Sequence, residues 1–424
     1  MSTEETHKSS ADFAVEMAGR QVARGEFNQV SFAERDRRWA RIRQEMEKRG
    51  VDLLLANGNS GRWNEMNANI RYLTGYADPL SGTCYALFPG DGDGTLVTQM
   101  TGKRSLHTLS WFPDLRVGAT VRLAEIVEER LTALGLTSGT IGLAGICFRS
   151  HESVGLPWNL LEEIRQRLPN LKVVDATDIF FELRTVKSAE ELRCLEESAK
   201  IADIGFEAHL YSWRPGMTER EYAAHIVAAM NGAGAEPPTF CLLESGPLGT
   251  WLTQDPIQSS RVIERGDYVV SELSPKYAGY QAQSLQCSVF GKPTAEMFEI
   301  AKWGEEVWDR FCDQIRPGNT IENAESSCKD IIERCRAKMG DAWANALIPH
   351  GSYAGLGGPD PLPRPREIQP DMAFMGEMGP YSGKYEPRPF WRMNGGYCLI
   401  STEAAPRHLN GKYSIADRMM AIVG

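Results

Sequence analysis

One stretch of sequence decides the fold of the second part of the chain, and it reads Gly266-Asp-Tyr-Val-Val-Ser-Glu-Leu-Ser-Pro-Lys-Tyr-Ala-Gly-Tyr280. Before it, two helices are predicted to begin at Ser188 and Thr218, each with the Ser/Thr-x-x-Glu pattern of a capping box. After it, two more helices are predicted at about 296–315 and 322–338, around another Pro-Gly turn. Two similar helix pairs flanking antiparallel strands predict an α+β domain.

The first part of the chain has a different pattern. Apolar runs typical of strands alternate with helical stretches between residues 51 and 175, which predicts an α/β domain. Residues before Phe32 are polar and lack apolar periodicity. We therefore expect an N-terminal arm at 1–30, an α/β domain at 31–180 and the α+β domain at 181–424.

Composition excludes several classes of function. The 424 residues carry a net charge of −10, which argues against binding of nucleic acid through a basic face. No apolar run is long enough for a membrane span, and the polar first ten residues do not resemble a secretory signal. The nine cysteines are scattered without a CxxC pair, as expected for reduced thiols and not for a zinc cluster. We therefore expect a cytoplasmic protein.

Several motifs occur in the order found in one known family. They are Leu183-Arg-Thr-Val-Lys-Ser, Arg214-Pro-Gly-Met-Thr, the 266–280 stretch, Arg316-Pro-Gly-Asn-Thr and Pro349-His-Gly, preceded by Ile70-Arg-Tyr-Leu-Thr-Gly. Together they resemble the creatinase/aminopeptidase P family of pita-bread proteins. This resemblance implies an α/β N-terminal domain and a catalytic domain with a curved antiparallel sheet flanked by two helix pairs. It also implies a homodimer.

The resemblance further implies a site for two divalent cations, held by two Asp, one His and two late Glu. Transferred position by position, the first four fall on Glu272, Gln283, His350 and Glu377. The last falls near Ser401 or Thr402, or on Glu403 if the register slips by one residue.

The family's proton-handling histidines are replaced as well. Thr253 and Gly357 stand near their positions, and Leu285 stands where creatinase has a catalytic Glu. Creatinase itself cleaves a C–N bond without metal, so the resemblance supplies a cleft but no complete mechanism.

Charge decides what the altered positions can hold. A bridging carboxylate offsets the repulsion between two dications because it is anionic, whereas Gln283 offers one neutral carbonyl oxygen. We therefore expect no dinuclear centre. The expectation is either no cofactor or a single divalent cation (Mn, Co, Zn or Fe) bound by Glu272, His350 and Glu377.

The remaining titratable groups suggest acid–base catalysis. We expect His350 to be the general acid/base, Glu377 its carboxylate partner, and Glu272 a group that orients or protonates the substrate. Other residues are expected to bind the substrate, with an Arg suited to a substrate carboxylate; they are Gln283, Tyr280, Thr253, Glu403, Arg62 and Arg71.

Three functions are compatible with this pattern. The first is a creatinase-like hydrolase or lyase that cleaves a C–N or C–X bond of a small polar substrate without a dinuclear metal centre. The second is a divalent-metal-dependent Xaa-Pro aminopeptidase or prolidase, and the third is a non-catalytic protein that binds a peptide or a partner. We favour the first, an enzyme with a small-molecule or short-peptide substrate.

Overall fold

A computed structural model describes residues 27–58, 67–77, 84–99, 109–145, 156–247, 256–356, 366–379, 396–410, 413–414, 417 and 421–423. The chain divides into two compact units, Met1–Thr185 and Val186–Gly424. Among the described helices, none is both long enough and apolar enough to cross a membrane.

The first unit alternates strands and helices as predicted. Its elements are α1 (Phe32–Arg49), β1 (Leu53–Asn57), α2 (Ala68–Thr74), β2 (Cys84–Pro89), β3 (Thr95–Thr98), β4 (Asp114–Val117), α3 (Leu123–Ala133), β5 (Thr140–Ala144), α4 (Trp158–Arg167), β6 (Lys172–Asp175) and α5 (Thr177–Thr185).

Helix α1 shows how local sequence sets the boundaries of an element. The Ser31 side chain accepts a hydrogen bond from the Glu34 backbone N–H at 3.2 Å and caps the first turn. Gly50 ends the helix in the left-handed conformation, with φ of 62°. Trp39 and Ile42 are buried on the face turned to the core.

The strands of this unit form one mixed sheet in the order β4-β3-β2-β1-β5-β6. The central strand β1 runs antiparallel to β2 and parallel to β5. Buried leucines of β1 pack with apolar side chains of α3 and α4 in a core on one face of the sheet. Helix α5 packs against α1 and β5, and the predicted domain boundary at 180/181 falls inside it.

The second unit contains the predicted helix pairs and a larger sheet. Its elements are α6 (Ala189–Tyr211), α7 (Glu219–Gly232), β7 (Phe240–Pro247), β8 (Asp267–Ser274), β9 (Lys276–Tyr277), β10 (Tyr280–Gln281), β11 (Ser284–Phe290), α8 (Ala295–Asp313), α9 (Ile321–Ser326), α10 (Lys329–Met339), α11 (Asp341–Ala346), β12 (Pro349–Tyr353), β13 (Ala373–Met378), β14 (Gly396–Ile400), β15 (Arg407–His408) and β16 (Ala421–Val423).

The large sheet has the order β12-β13-β14-β11-β8-β7, with antiparallel pairing between neighbours. Helices pack against one of its faces. Leu273 of β8 lies beside Gly205 of α6, and Gly376 of β13 lies against Trp308 of α8. The side chains next to these in sequence, including Glu272 and Glu377, point to the other face, which we call the site face. The predicted two-domain pita-bread architecture is confirmed.

One predicted helix differs from the structure. The segment predicted as a single helix at 322–338 forms two helices, α9 and α10, separated at Ser327 and Cys328. The Ser327 hydroxyl donates to the carbonyl of Ala324 at 2.7 Å. Such local side-chain bonds compete with the helical backbone pattern, which explains the break.

Candidate functional site

One transverse row of the second sheet contains the three residues predicted to be catalytic. Glu272 on β8 pairs with Leu285 on β11, which pairs with Gly396 on β14. Gly396 in turn pairs with Glu377 on β13, and Glu377 pairs with His350 on β12. Residues paired directly across strands point to the same face. The sheet register therefore aligns Glu272, Glu377 and His350 on the site face.

His350 and Glu377 form a direct pair at one end of the row. The distance between His350 Nε2 and Glu377 Oε1 is 2.5 Å. The Glu377 side chain is 9% exposed and that of His350 is 21% exposed. The carboxylate is thus shielded, while the imidazole keeps contact with the surface.

Two glycines on the helix side of β12 and β13, the strands that carry this pair, allow these strands to approach α8 closely. Gly351 and Gly376 are cross-strand partners, each adjacent in sequence to a member of the pair. A Cβ atom at Gly376 would lie 2.8 Å from a ring atom of Phe311 and 2.9 Å from one of Trp308. Only a residue without a side chain permits this approach, so the glycines seat the strands directly on the helix.

Glu272 and Gln283 form a second pair. The Gln283 side-chain N–H donates to the Glu272 carboxylate, and both residues are buried. The Gln283 backbone N–H donates to Cys398 Sγ at 3.1 Å. Burial raises the pKa of Cys398 to about 12, so its thiol stays neutral at physiological pH.

The two pairs are separate clusters. Three strand spacings lie between Glu272 and Glu377 along the row, which corresponds to roughly 14 Å in a flat sheet. The residues between them on the row are Leu285 and Gly396, which carry no ionisable group. Within the described residues, no three His, Cys, Asp or Glu side chains come together as a group that could hold a metal ion.

The residues expected to include the last family ligand lie outside the row. Its β14 member is Gly396, and not Ser401, Thr402 or Glu403. Glu403 is exposed beyond the end of β14, so it cannot join the row.

Other predicted substrate-binding residues lie elsewhere. The Tyr280 hydroxyl donates to Glu191 of α6 at 2.7 Å, so Tyr280 faces the helices and not the site face. Arg71 is buried in α2 of the first unit. Arg62, Thr253 and Gly357 lie outside the described residues.

Glu219 is a further buried carboxylate that the sequence analysis did not single out. It accepts hydrogen bonds from Ser245 N at 2.7 Å and Ser245 Oγ at 2.6 Å, and from Ser259 N at 3.1 Å and Ser259 Oγ at 2.5 Å. Glu219 therefore ties together the two flanks of segment 248–255, in which Thr253 lies.

Comparisons with known proteins agree with this architecture. Residues 38–186 match the family model for the creatinase/prolidase N-terminal domain, and residues 193–403 match that for metallopeptidase family M24. An Xaa-Pro dipeptidase from Pyrococcus horikoshii is 26% identical over 68% of this chain and 74% of its own length. A creatinase from Bacillus sp. is 25% identical over 76% of this chain and 75% of its own.

A solved structure gives the same result for the fold. The X-Pro aminopeptidase from Thermotoga maritima superposes with a TM-score of 0.73 at 19% identity, over 91% of this chain and 99% of the other. At this level of identity the likeness concerns the fold alone.

The match to metallopeptidase family M24 implies the use of divalent metal. The residues at the predicted ligand positions do not fit two such ions. Four of the predicted positions provide two carboxylates, one imidazole and one neutral amide, and Glu403, the one charged candidate for the fifth position, is exposed beyond the end of β14. Neighbouring Cys398 does not offer a thiolate. Two dications about 3.5 Å apart need more negative charge than this set supplies.

Proposed function

Because this chain belongs to the creatinase/aminopeptidase P superfamily of pita-bread hydrolases, we propose that its second unit hydrolyses an amide bond in a short peptide or peptide-like substrate. The reaction proceeds by acid–base catalysis at His350 and Glu377, without a pair of metal ions. The observation that carries this proposal is the 2.5 Å contact between His350 Nε2 and Glu377 Oε1 on the site face.

The pair has the arrangement that a general base needs. A carboxylate bonded to one ring nitrogen fixes the orientation and the tautomer of the imidazole. The His350–Glu377 pair then removes a proton from the attacking water. It returns that proton to the departing amine.

Glu272 binds the same substrate from the other end of the row. Its carboxylate is oriented by the Gln283 amide, and a carboxylate held in this way suits a polar N–H or amino group of the substrate. The apolar Leu285 and the bare backbone of Gly396 lie between the two pairs, where the substrate has room for its middle part.

The comparisons favour a peptide substrate. The relative that is 26% identical over 68% of this chain is named an Xaa-Pro dipeptidase. This similarity supports the peptidase alternative of the sequence analysis over cleavage of a non-peptide C–N or C–X bond.

The test is turnover of a panel of short peptides, including Xaa-Pro sequences, by enzyme with and without prior dialysis against a chelator. We expect H350A and E377Q to lower kcat by about 10²–10⁴-fold, the usual contribution of general acid–base catalysis. S352A is the matched control, because Ser352 lies two residues along the same strand and face and should leave kcat unchanged. Full activity of H350A would overturn the proposal.

A second candidate is a divalent-metal-dependent Xaa-Pro aminopeptidase or prolidase, favoured by the match to metallopeptidase family M24. It requires that dialysis against a chelator abolish peptide cleavage and that added Mn²⁺ or Co²⁺ restore it. Cleavage that survives the chelator supports the metal-independent mechanism.

A further inference from the structure

Gln281 lies on the site face two residues before Gln283. Its Cα pairs with Lys276, and that of Tyr280 pairs with Tyr277. These pairs continue the register in which Ser284 pairs with Leu273. Because successive side chains of a strand alternate between faces, Gln281 points the same way as Gln283.

The neighbouring residue confirms this direction independently. Tyr280 reaches α6, where its hydroxyl donates to Glu191. A residue next to one that faces the helices faces away from them. Gln281 therefore points away from α6 and into the same layer as Glu272 and Gln283.

The carboxamide of Gln281 is buried and has no hydrogen-bond partner among the described residues. The residue is 0% exposed, and neither its side-chain N nor its side-chain O is hydrogen-bonded within the part of the chain that the structure describes. Gln286 in the same hairpin contrasts with it, because its amide donates to Ser271 Oγ at 2.7 Å and accepts from Ser284 Oγ at 3.1 Å. Buried amides are normally paired in this way, so the arrangement at Gln281 indicates a ligand group.

We propose that Gln281 is a specificity-determining residue that binds a second planar amide of the substrate, beyond the bond that is cleaved. This inference rests on the proposed amide hydrolysis. A glutamine carboxamide presents a donor and an acceptor side by side. A peptide group or a primary amide offers the complementary pair, whereas an ester lacks the donor.

The position of Gln281 sets the length of the substrate. Gln281 lies four residues before Leu285, the β11 member of the row, and Leu285 lies two strands from Glu377. In a flat sheet this corresponds to roughly 16 Å between Cα atoms. An extended chain spans about 3.5 Å per residue. The substrate class is therefore a tetra- or pentapeptide, or an acylated peptide of about that length.

The test compares a tetrapeptide with its depsipeptide analogue, in which the distal amide is an ester. Binding is measured by calorimetry in the H350A background, where turnover is suppressed. We expect the tetrapeptide to bind on the order of tenfold more tightly than the ester. Q281L should bind both equally and weakly. Its melting temperature should be unchanged or higher, because leucine removes two unpaired polar atoms.

Q286L is the matched control. Its amide is paired on the helix side, so this variant should lose stability but keep the preference for the amide. An unchanged preference in Q281L would overturn the inference. The absence of peptide cleavage by the unmodified protein would instead overturn the proposed function, and the binding comparison would still decide the role of Gln281.

Discussion

At position 283 an amide stands where the family resemblance implies a carboxylate, and this single change alters the charge of the site. The Gln283 N–H donates to Glu272, so the two side chains satisfy each other. An aspartate at this position would repel Glu272 unless a cation lay between them. The observed pair is thus self-consistent without a bridging metal ion.

His209 is buried on the helix side of the large sheet. The residue is 0% exposed, and its Nε2 bonds to the Ser288 hydroxyl of β11. The ring stacks on Phe206 at 5.9 Å. Desolvation lowers the pKa of His209 to about 3, so the imidazole is neutral in the folded protein.

The lowered pKa of buried His209 leads us to predict that the stability of the protein depends on pH. Between about pH 6.5 and pH 3 the unfolded chain binds a proton at His209 that the folded chain does not. The free energy of unfolding should therefore fall as the pH is lowered through this window, by up to about 1.4 kcal/mol per pH unit from this group. Above pH 6.5 this contribution should be constant. Urea titrations at a series of pH values measure the slope.

The double variant H209F/S288A is the control for this prediction. It replaces both hydrogen-bonding partners by apolar groups, which is close to neutral for stability. Its unfolding free energy should depend less steeply on pH below 6.5. An unchanged slope in the double variant would show that other groups cause the acid sensitivity.

At the scale of elements, the geometry of the proposed catalytic pair, His350 and Glu377, depends on how closely β12 and β13 approach α8. Gly376 lies against Trp308 and Phe311, both of which are buried. Close-packed aromatic rings of this kind have little room to move. The strand position of Glu377 is thus set by a helix on the opposite face.

We predict that G376A lowers the free energy of unfolding by about 1–3 kcal/mol, because the added methyl group would overlap the two rings. It should also lower kcat, since Glu377 is the next residue. G232A at the end of α7 is the control: a Cβ there meets no atom within 4 Å, and alanine should be neutral or stabilising by up to about 1 kcal/mol. Denaturant titration and steady-state kinetics measure both effects.

If G376A is as stable and as active as the unmodified protein, the close approach to α8 does not set the site geometry. A loss of stability in G232A of the same size would indicate that any change of glycine disturbs this unit.

The elements themselves were largely predictable, for local reasons. Capping residues such as Ser188 and Thr218 define the starts of helices, and both form the predicted capping boxes. The break between α9 and α10 was not predictable from apolar periodicity, because it comes from the hydroxyl bond of Ser327 to its own helix. The candidate site residues Glu272, His350 and Glu377 could be named from the sequence because each lies in a recognisable motif.

Other site residues depend on sheet register. Gly396 joins the row only through its pairing with Leu285 and Glu377, which sequence spacing does not specify. The face on which Tyr280 lies could not be predicted, because the strand pattern around it contains no clear alternation of apolar and polar residues. Register is a tertiary property, and one residue of slip exchanges the two faces.

At the scale of the whole molecule, each unit contributes a sheet with its own core. The large sheet of the second unit assembles residues far apart in sequence, from Glu272 to Gly396, into one row. The superfamily's architecture is retained, while the predicted ligand positions carry less negative charge than the family resemblance implies. The account therefore predicts an amide hydrolase whose activity does not depend on two metal ions.

The most direct test is the metal content of protein equilibrated with Mn²⁺ or Co²⁺ and freed of weakly bound ions by gel filtration. Unmodified protein should retain fewer than two ions per chain. Q283D/G396E adds two carboxylates to the site face and should retain more ions than the unmodified protein. Two tightly bound ions in the unmodified protein, with peptide cleavage abolished by a chelator, would contradict the account.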